Sequence, residues 1–187
     1  NTYVTHLSLR LSNRGKADRA TSVTRLFGGG SFNSTYNEGY EPMSVDVPSS
    51  AKRAEIVALI TGHGFGVEVA GCAEFCNHTH HFTVGQGEFV HDNPWVGNFY
   101  GCADQVPDGV VPNQYGTWYL GRGGWCPGMD VKPFRVDVTS ALEVGTSATL
   151  TYESLFEGAP YVPQPNPNPQ GGFGGSIWMT SWLVLNE

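Results

Sequence analysis

The stretch AEIVALIT at residues 54–61 decides the fold class. It is short and almost continuously apolar, which is typical of a strand covered on both faces in the core of a sandwich. The glycine-rich GHGFG that follows, with His63, is predicted to form a turn. A second strongly apolar stretch, SIWMTSWLVL, occupies residues 176–185. No convincing helical stripe occurs, so the sequence predicts an all-β sandwich. Its other predicted strands are short and lie at 3–12, 20–28, 43–47, 78–84, 133–139 and 147–155.

Composition agrees with short strands joined by many turns. The chain contains 25 Gly and 12 Pro in 187 residues, and these residues break helices. Hydrophobic residues make up 40% of the chain, enough to build a core. We expect residues 1–187 to form a single domain, with a Pro/Asn/Gly-rich loop at about 159–175 before the last strand.

Charge and cysteine content restrict the partners and the compartment. A net charge of −7 disfavours nucleic acid and anionic lipid, and no apolar run is long enough to span a membrane. The four cysteines, Cys72, Cys76, Cys102 and Cys126, fit neither a Cys-x-x-Cys redox pair nor a paired zinc knuckle. The simplest interpretation is two disulfides in an extracytoplasmic protein.

The motif HTHH at 78–81 is the first candidate site. Because side chains alternate along a strand, His78 and His80 project from the same face and can converge on one metal ion. A redox metal such as copper accepts a thioether as a third ligand, and Met179 in the last strand is a candidate. The alternative is that the histidines are hydrogen-bonded sandwich residues and that Met179 fills the core.

The motif GCAEFC at 71–76 is the second candidate. If Cys72 is bonded to Cys76, Glu74 lies at the middle of a small pinned loop and its carboxylate has a fixed direction. Such a carboxylate can act as a general acid or base, or bind a substrate amide or sugar. The alternative is a solvated loop carboxylate beside a structural disulfide.

The third candidate is PNQYGTWYLGRGGWCPGM at 112–129. It groups Trp118, Tyr119 and Trp125 around Arg122, and a bond between Cys102 and Cys126 would tether it. Aromatic rings with a guanidinium suit a carbohydrate or peptide ligand, because ring faces stack on apolar faces while polar groups bind hydroxyls or carbonyls. The same residues would equally serve to pack the loop on its own sandwich.

The segments GCAEFCNHTH and GRGGWCPGM, with TGHG ahead of them, resemble the C-terminal half of the bacterial peptide-N-glycosidase F family from about residue 60 to 138. The resemblance implies a jelly-roll domain packed beside another jelly roll. It also implies a functional glutamate at Glu74, an active-site arginine at Arg122, and the disulfides Cys72–Cys76 and Cys102–Cys126. The principal catalytic aspartate of that family belongs to the preceding domain, so this domain is expected to need an upstream partner.

HTHH also resembles the copper motif in the second domain of peptidylglycine α-hydroxylating monooxygenase. That resemblance implies copper held by His78, His80 and Met179. The other copper of those hydroxylases belongs to their first domain, so coupled two-copper hydroxylation is not expected here.

Three functions follow as hypotheses. The leading one is an extracytoplasmic copper-binding jelly roll, with Glu74 and Arg122 lining the adjoining cleft and a mononuclear site that binds dioxygen or stores copper. The second is one half of an amidase that cleaves asparagine from N-linked glycan. The third is a glycan- or peptide-binding module that uses Trp118 and Trp125. Sequons beginning at Asn33 and Asn77 could carry glycans in a suitable host.

Overall fold

The computed structural model describes residues 19–112 and 115–187, so the strand predicted at 3–12 lies outside the described residues. The described residues form nine strands and three short 3₁₀ helices. The strands are β1 (Ala20–Ser31), β2 (Met43–Asp46), β3 (Arg53–Phe65), β4 (His78–Val84), β5 (Gly87–Asp92), β6 (Phe134–Asp137), β7 (Ser147–Phe156), β8 (Ala159–Pro160) and β9 (Phe173–Asn186). The 3₁₀ helices are Tyr36–Gly39, Ala103–Asp108 and Thr139–Ala141. In this described part of the chain, no helix has the length and apolar character needed to cross a membrane.

The strands form two antiparallel sheets. One sheet has the order β1-β9-β3-β6, and the other has the order β2-β7-β4-β5, with β8 paired to β7. The chain passes from one sheet to the other at most of its connections, and the last strand returns to lie between β1 and β3. This is the strand order of a jelly roll, so the predicted all-β jelly-roll sandwich is confirmed.

The core lies between the two sheets. Ile56, Ala58 and Ile60 of β3 are 0–3% exposed, and Phe82 and Val84 of β4 face them from the other sheet. Aromatic rings connect the layers directly: the Phe27 ring of β1 stacks on the Tyr152 ring of β7 with centroids 5.6 Å apart. A large apolar side chain such as that of Ile56 or Phe82 contributes roughly 1.5–3 kcal/mol when it is fully removed from water.

Strand β3 differs from its prediction in length and in burial. It continues through the glycine-rich segment after residue 61, so His63 belongs to a strand and not to a turn. The ladder to β9 continues as far as Phe65 paired with Phe173, with an irregularity between His63 and Phe65. The prediction that both faces of this strand are covered is also wrong for part of it, since Leu59 on the outer face is 38% exposed.

The sequence patterns did not indicate β5 or β8. β5 pairs with β4 through the two-residue turn Gly85-Gln86, where Gly85 has a φ of 56°. Its residues alternate only between partly buried and exposed, so its apolar signal is weak. The predicted loop at 159–175 is too long at both ends, because Ala159–Pro160 pairs with β7 and β9 already begins at Phe173.

Candidate active site

A cavity of about 360 Å³ lies where the end of β3 meets the loop containing Glu74 and the segment containing Arg122. Its charged residues, Glu74 and Arg122, are surrounded mainly by aromatic and aliphatic side chains. The other lining residues are His63, Phe65, Phe75, Tyr115, Thr117, Leu120, Trp125 and Phe173. A larger cleft of about 770 Å³ beside the β4–β5 turn has Glu143 as its only charged lining residue among those described. Of these two cavities, the smaller one is lined by both an anionic and a cationic side chain, and we call it the Glu74–Arg122 cavity.

Glu74 is held on a short loop that the Cys72–Cys76 disulfide closes. The residue is only 5% exposed, so its carboxylate is buried rather than solvated. One carboxylate oxygen forms an ion pair with Arg122 Nη1, and the other accepts a hydrogen bond from the Gly64 N–H at 3.2 Å. The loop thus fixes the direction of the carboxylate toward the cavity and the guanidinium.

Arg122 is almost completely buried, with 2% of its surface exposed. Its Nη1 donates to Glu74, and its Nη2 donates to the carbonyl oxygen and the hydroxyl of Thr117, each at 3.1 Å. The guanidinium carbon lies 5.0 Å from the centre of the Phe75 ring and 4.7 Å from that of Trp125, within cation–π range. Burial lowers the pKa of Arg122 to about 10, which leaves it cationic at neutral pH.

Two glycines allow the three segments of the site to meet. The Gly62 N–H donates to the Gly123 carbonyl at 2.6 Å, and the Gly123 N–H donates to the Glu74 carbonyl at 2.8 Å. A Cβ atom on Gly62 would lie 2.2 Å from the carbonyl oxygen of Ala73, and one on Gly123 would lie 2.6 Å from the same oxygen. Only glycine permits this approach. The glycines in TGHG and GRGGW therefore place Arg122 beside Glu74.

His63 forms one wall of the cavity at the end of β3. Its ring lies between two indoles, with centroids 5.2 Å from Trp125 and 5.7 Å from Trp178. Its Nε2 is hydrogen-bonded to the Thr61 hydroxyl at 3.0 Å. Burial, and then the positive charge of Arg122, lower the pKa of His63, so the ring is neutral at neutral pH.

A second buried carboxylate, Glu68, anchors the loop that carries Glu74. One of its oxygens accepts the Cys72 N–H at 2.5 Å, and the other accepts the Ala70 N–H at 2.8 Å and the Tyr161 hydroxyl at 2.5 Å. Glu68 is 6% exposed. It therefore connects the start of the disulfide loop to the segment after β8, and no sequence motif indicated this role.

His78 and His80 do lie on the same face of β4, as strand periodicity predicts. Their ring centroids are 4.9 Å apart, and both residues are 0% exposed in the core. The His78 Nδ1 donates to the Cys76 carbonyl at 3.1 Å, and the His80 Nδ1 is hydrogen-bonded to the Tyr152 hydroxyl at 2.8 Å. Burial lowers the pKa of His78 to about 4 and that of His80 well below its ordinary value, so both rings are neutral.

Among the described residues, few possible metal ligands surround the two imidazole rings. Neither Nε2 atom has a hydrogen-bond partner within the described residues. No group of three or more His, Cys, Asp or Glu residues suited to a metal ion occurs in ranges 19–112 and 115–187. Met179 is buried on the opposite sheet, where it pairs with Ile60. Copper binding by His78, His80 and Met179 stays a prediction.

The two predicted ligand-binding tryptophans lie in different surroundings. Trp125 lines the cavity, and its indole N–H donates to the Gly62 carbonyl at 2.9 Å. Trp118 packs against a small cluster built from the Cys102–Cys126 disulfide, Val110 and Met129. The structure therefore brings Trp125, but not Trp118, to Glu74 and Arg122.

Sequence reasoning missed several wall residues of the cavity. Phe75 belongs to the GCAEFC motif but was not predicted to contact a ligand or Arg122, although its ring covers the guanidinium. Phe65 and Phe173 meet as the last register pair of β3 and β9, with ring centroids 5.4 Å apart. Continuing the alternation of β3 past Leu59 would have indicated His63 and Phe65, because both fall on the same outer face.

Comparison with known proteins matches the chain to a family profile and to a curated relative. A family profile described as peptide-N-glycosidase F, C terminal, matches residues 31–184. Over 119 residues, the chain is 31% identical to peptide-N(4)-(N-acetyl-beta-D-glucosaminyl)asparagine amidase F of Elizabethkingia miricola. This match covers 61% of the present chain and 31% of the relative, so the chain corresponds to only part of that protein.

Solved structures show the same fold at lower identity. PNGase F, a glycosylasparaginase from Flavobacterium meningosepticum, has a TM-score of 0.57 and 19% identity, covering 89% of this chain and 51% of that one. PNGF-II has a TM-score of 0.59 and 16% identity, covering 91% of this chain and 31% of that one. Since the family profile also matches well over half of the sequence, this chain belongs to the peptide-N-glycosidase F family and corresponds to its C-terminal domain.

Proposed function

We propose that this domain binds the asparagine-linked sugar of an N-glycosylated peptide in the Glu74–Arg122 cavity and contributes both side chains to hydrolysis of the linking amide. The observation that carries this proposal is the buried ion pair in the wall of a cavity lined largely by aromatic side chains. Family membership supports it, since the matched relative is named as a peptide-N(4)-(N-acetyl-beta-D-glucosaminyl)asparagine amidase. The proposal favours the amidase hypothesis over copper binding as the main function.

The proposed reaction is the hydrolysis of one amide bond. A water oxygen bonds to the side-chain carbonyl carbon of the substrate asparagine, and the bond from that carbon to the glycan-bearing nitrogen breaks. One proton of the water is transferred to the departing nitrogen, so the glycan leaves as a glycosylamine. The asparagine becomes an aspartate when the other water proton is released. A guanidinium such as that of Arg122 stabilises the negative charge that develops on the carbonyl oxygen, and it does so more strongly when water is excluded.

The hydrogen bonds of the ion pair indicate different roles for Arg122 and Glu74 in the proposed reaction. Glu74 and Thr117 occupy both terminal nitrogens of Arg122, whereas its Nε–H has no partner among the described residues. The proposal assigns this buried, unpartnered donor to the substrate carbonyl oxygen. The Glu74 carboxylate holds the guanidinium in place and has lone pairs left to accept a hydrogen bond from the amide N–H or a sugar hydroxyl.

The aromatic walls suit the sugar itself. The Phe75 and Trp125 rings lie over Arg122, and His63 extends the wall beside Trp125. The C–H faces of a pyranose ring and the methyl group of an N-acetyl substituent can pack on such rings while their polar groups bind the ion pair. An N-acetylglucosamine residue linked to asparagine has both kinds of surface.

The complete activity is proposed for this domain together with an upstream domain. The family resemblance implies that the principal catalytic acid comes from a preceding jelly roll, and the chain spans 31% of the length of the curated relative. An extracytoplasmic location is part of the proposal, and both disulfides support it because such bonds persist in oxidising compartments.

Binding and hydrolysis can be tested separately. A synthetic peptide carrying a single N-acetylglucosamine on asparagine is titrated calorimetrically into the chain and its E74Q and R122K variants. We expect both variants to weaken binding at least tenfold, while E153Q, which changes an exposed carboxylate of β7, leaves it unchanged. Absence of binding by the unmodified chain would refute the proposal.

Glycan release from a denatured glycoprotein is then measured with the chain alone and after addition of the upstream domain. Release is expected only when both domains are present and should be lost in E74Q. Release by the chain alone would contradict the expected need for a second domain. Binding without release in either arrangement would favour a glycan- or peptide-binding module instead.

Copper binding is a second candidate that one observation favours. The buried Nε2 atoms of His78 and His80 have no partner within the described residues, and neutral imidazoles are good copper ligands. Copper bound there would supply redox chemistry. Metal analysis of the chain after copper loading tests this idea: an H78Q/H80Q variant should lose the metal, whereas H81Q, on the other face of β4, should keep it. Equal copper content in all three proteins would remove the assignment.

A further inference from the structure

A second, smaller cavity adjoins the Glu74–Arg122 cavity. Its volume is about 200 Å³, and we call it the annex. Phe75 and Leu120 line both cavities, so these two side chains form the partition between them. The remaining lining of the annex consists of Gly97, Asn98, Phe99 and Gly121. A ligand bound at the ion pair therefore lies one side chain away from the annex.

The annex is pre-formed although much of its rim is exposed. The Phe99 ring is 59% exposed, but its centroid lies 4.9 Å from that of Tyr100 and 5.2 Å from that of Tyr119. The Asn98 carbonyl accepts the N–H groups of Gly101 at 3.1 Å and Gly121 at 3.0 Å. These contacts fix the rim, so a ligand would not need to order it.

The chemistry of the annex indicates an apolar occupant. Phe75, Phe99 and Leu120 supply apolar walls, and none of the charged residues that the structure describes lines it. Within ranges 19–112 and 115–187, Asn98 is the only lining residue with a polar side chain, and its oxygen already accepts the Tyr100 N–H at 3.0 Å. A sugar ring needs several polar partners for its hydroxyls, whereas an apolar side chain needs only contact area.

We propose that the annex binds an apolar side chain of the substrate peptide adjacent to the glycosylated asparagine. This inference rests on the proposed function, because it requires a glycosylated asparagine in the neighbouring cavity. The annex then selects among glycosylation sites by their peptide sequence, while the Glu74–Arg122 cavity binds the sugar and the amide. Phe99 is the specificity-determining residue, since its exposed ring is the annex wall that belongs to neither the ion pair nor the shared partition.

Calorimetric titration with a small set of peptides tests this assignment. Each peptide carries a single N-acetylglucosamine on asparagine and has either leucine or serine at the position before or after it. The chain should bind a leucine peptide about tenfold more tightly than its serine counterpart at one of the two positions, because burying a leucine side chain yields at least this factor. In F99A, this preference should fall below about threefold, while the serine peptides bind as before.

A matched control separates the annex from general surface effects. V144A truncates another exposed apolar residue, 51% exposed, in the turn before β7, and should retain the full preference for leucine. Since Phe99 is on the surface, F99A is expected to fold normally, and circular dichroism verifies this.

The possible results separate the two proposals. If no peptide binds the unmodified chain, the proposed function fails, and the annex assignment fails with it. If leucine and serine peptides bind equally well, or if F99A weakens both equally, the annex assignment is wrong while the proposed function stands. A further peptide that carries two N-acetylglucosamine residues on asparagine is titrated as well. If F99A removes a preference for this peptide over its single-sugar counterpart, the annex binds sugar, and the annex assignment is wrong while the proposed function stands.

Discussion

Replacing Arg122 by methionine tests how deeply the Glu74–Arg122 pair is buried. Arg122 and Glu74 are 2% and 5% exposed, and two aromatic rings cover the guanidinium. R122M removes the cation and leaves the Glu74 carboxylate with the Gly64 N–H as its remaining donor among the described residues. Removing one partner of a buried ion pair costs about 3–5 kcal/mol, because the other charge stays buried without compensation. We expect the free energy of unfolding to fall by this amount.

A double-mutant cycle isolates the interaction itself. E74Q keeps an acceptor for the Gly64 N–H but leaves the guanidinium without an anion. The E74Q/R122M variant has neither charge, so its destabilisation should be smaller than the sum of the two single effects by roughly 2–3 kcal/mol. Additive effects would mean that the two side chains do not interact.

Urea unfolding followed by far-UV circular dichroism, with both disulfides intact, gives the required free energies. R53M is the matched control, because Arg53 pairs with Glu55 at 2.8 Å and with Asp137 at 3.2 Å but its side chain is 43% exposed. Loss of such a surface pair should cost less than about 1 kcal/mol. If R122M also stays within about 1 kcal/mol of the unmodified chain, with an unchanged denaturant slope, the pair is not buried as described.

Three further predictions concern the structure around the site. The free energy of unfolding should fall as pH drops from about 6.5 toward 4, because the unfolded chain protonates His78 near its ordinary pKa of 6.5, whereas burial lowers its pKa in the folded state to about 4. This contribution is on the order of 3 kcal/mol once pH is below 4, and a constant urea midpoint between pH 7 and pH 4 would contradict it. Y161F removes the hydroxyl that donates to Glu68 and should cost about 1–3 kcal/mol in urea unfolding, so an unchanged midpoint would count against the anchoring role of Glu68. Replacing Cys102 and Cys126 together by serine opens a loop with a sequence separation of 24 and should cost about 3.5 kcal/mol in thermal unfolding, so an unchanged melting temperature would contradict this prediction.

The fold was predictable because its signals are local. Apolar runs and alternation identified strands at the positions of β3, β4, β7 and β9, and glycine and proline content excluded long helices. β5 was missed because an edge strand buries only part of one face, which leaves little alternation to detect. The end of β3 was mistaken for a turn because its glycines usually mark turns, whereas here they permit close packing against β9 and the site loops.

The site was predictable only where its residues are close in sequence or belong to a known motif. Glu74, Arg122 and both disulfide pairings followed from the family resemblance, and the pairings are confirmed. Spacing alone predicted both Trp118 and Trp125 as ligand-binding residues, although of these two only Trp125 lines the cavity. The meeting of Phe65 with Phe173 depends on strand register across most of the chain, which no local pattern contains.

Two buried polar groups compete as functional centres, and their access to ligand distinguishes them. His78 and His80 point into a closed core in which both are 0% exposed, so an organic substrate cannot reach them without opening the sandwich. Glu74 and Arg122 are nearly as buried, yet they line a cavity of about 360 Å³. A buried ion pair contributes little net stability compared with apolar residues of the same volume. Stability therefore gives little reason for this pair, whereas the proposed binding of an amide beside a sugar ring uses both of its charges.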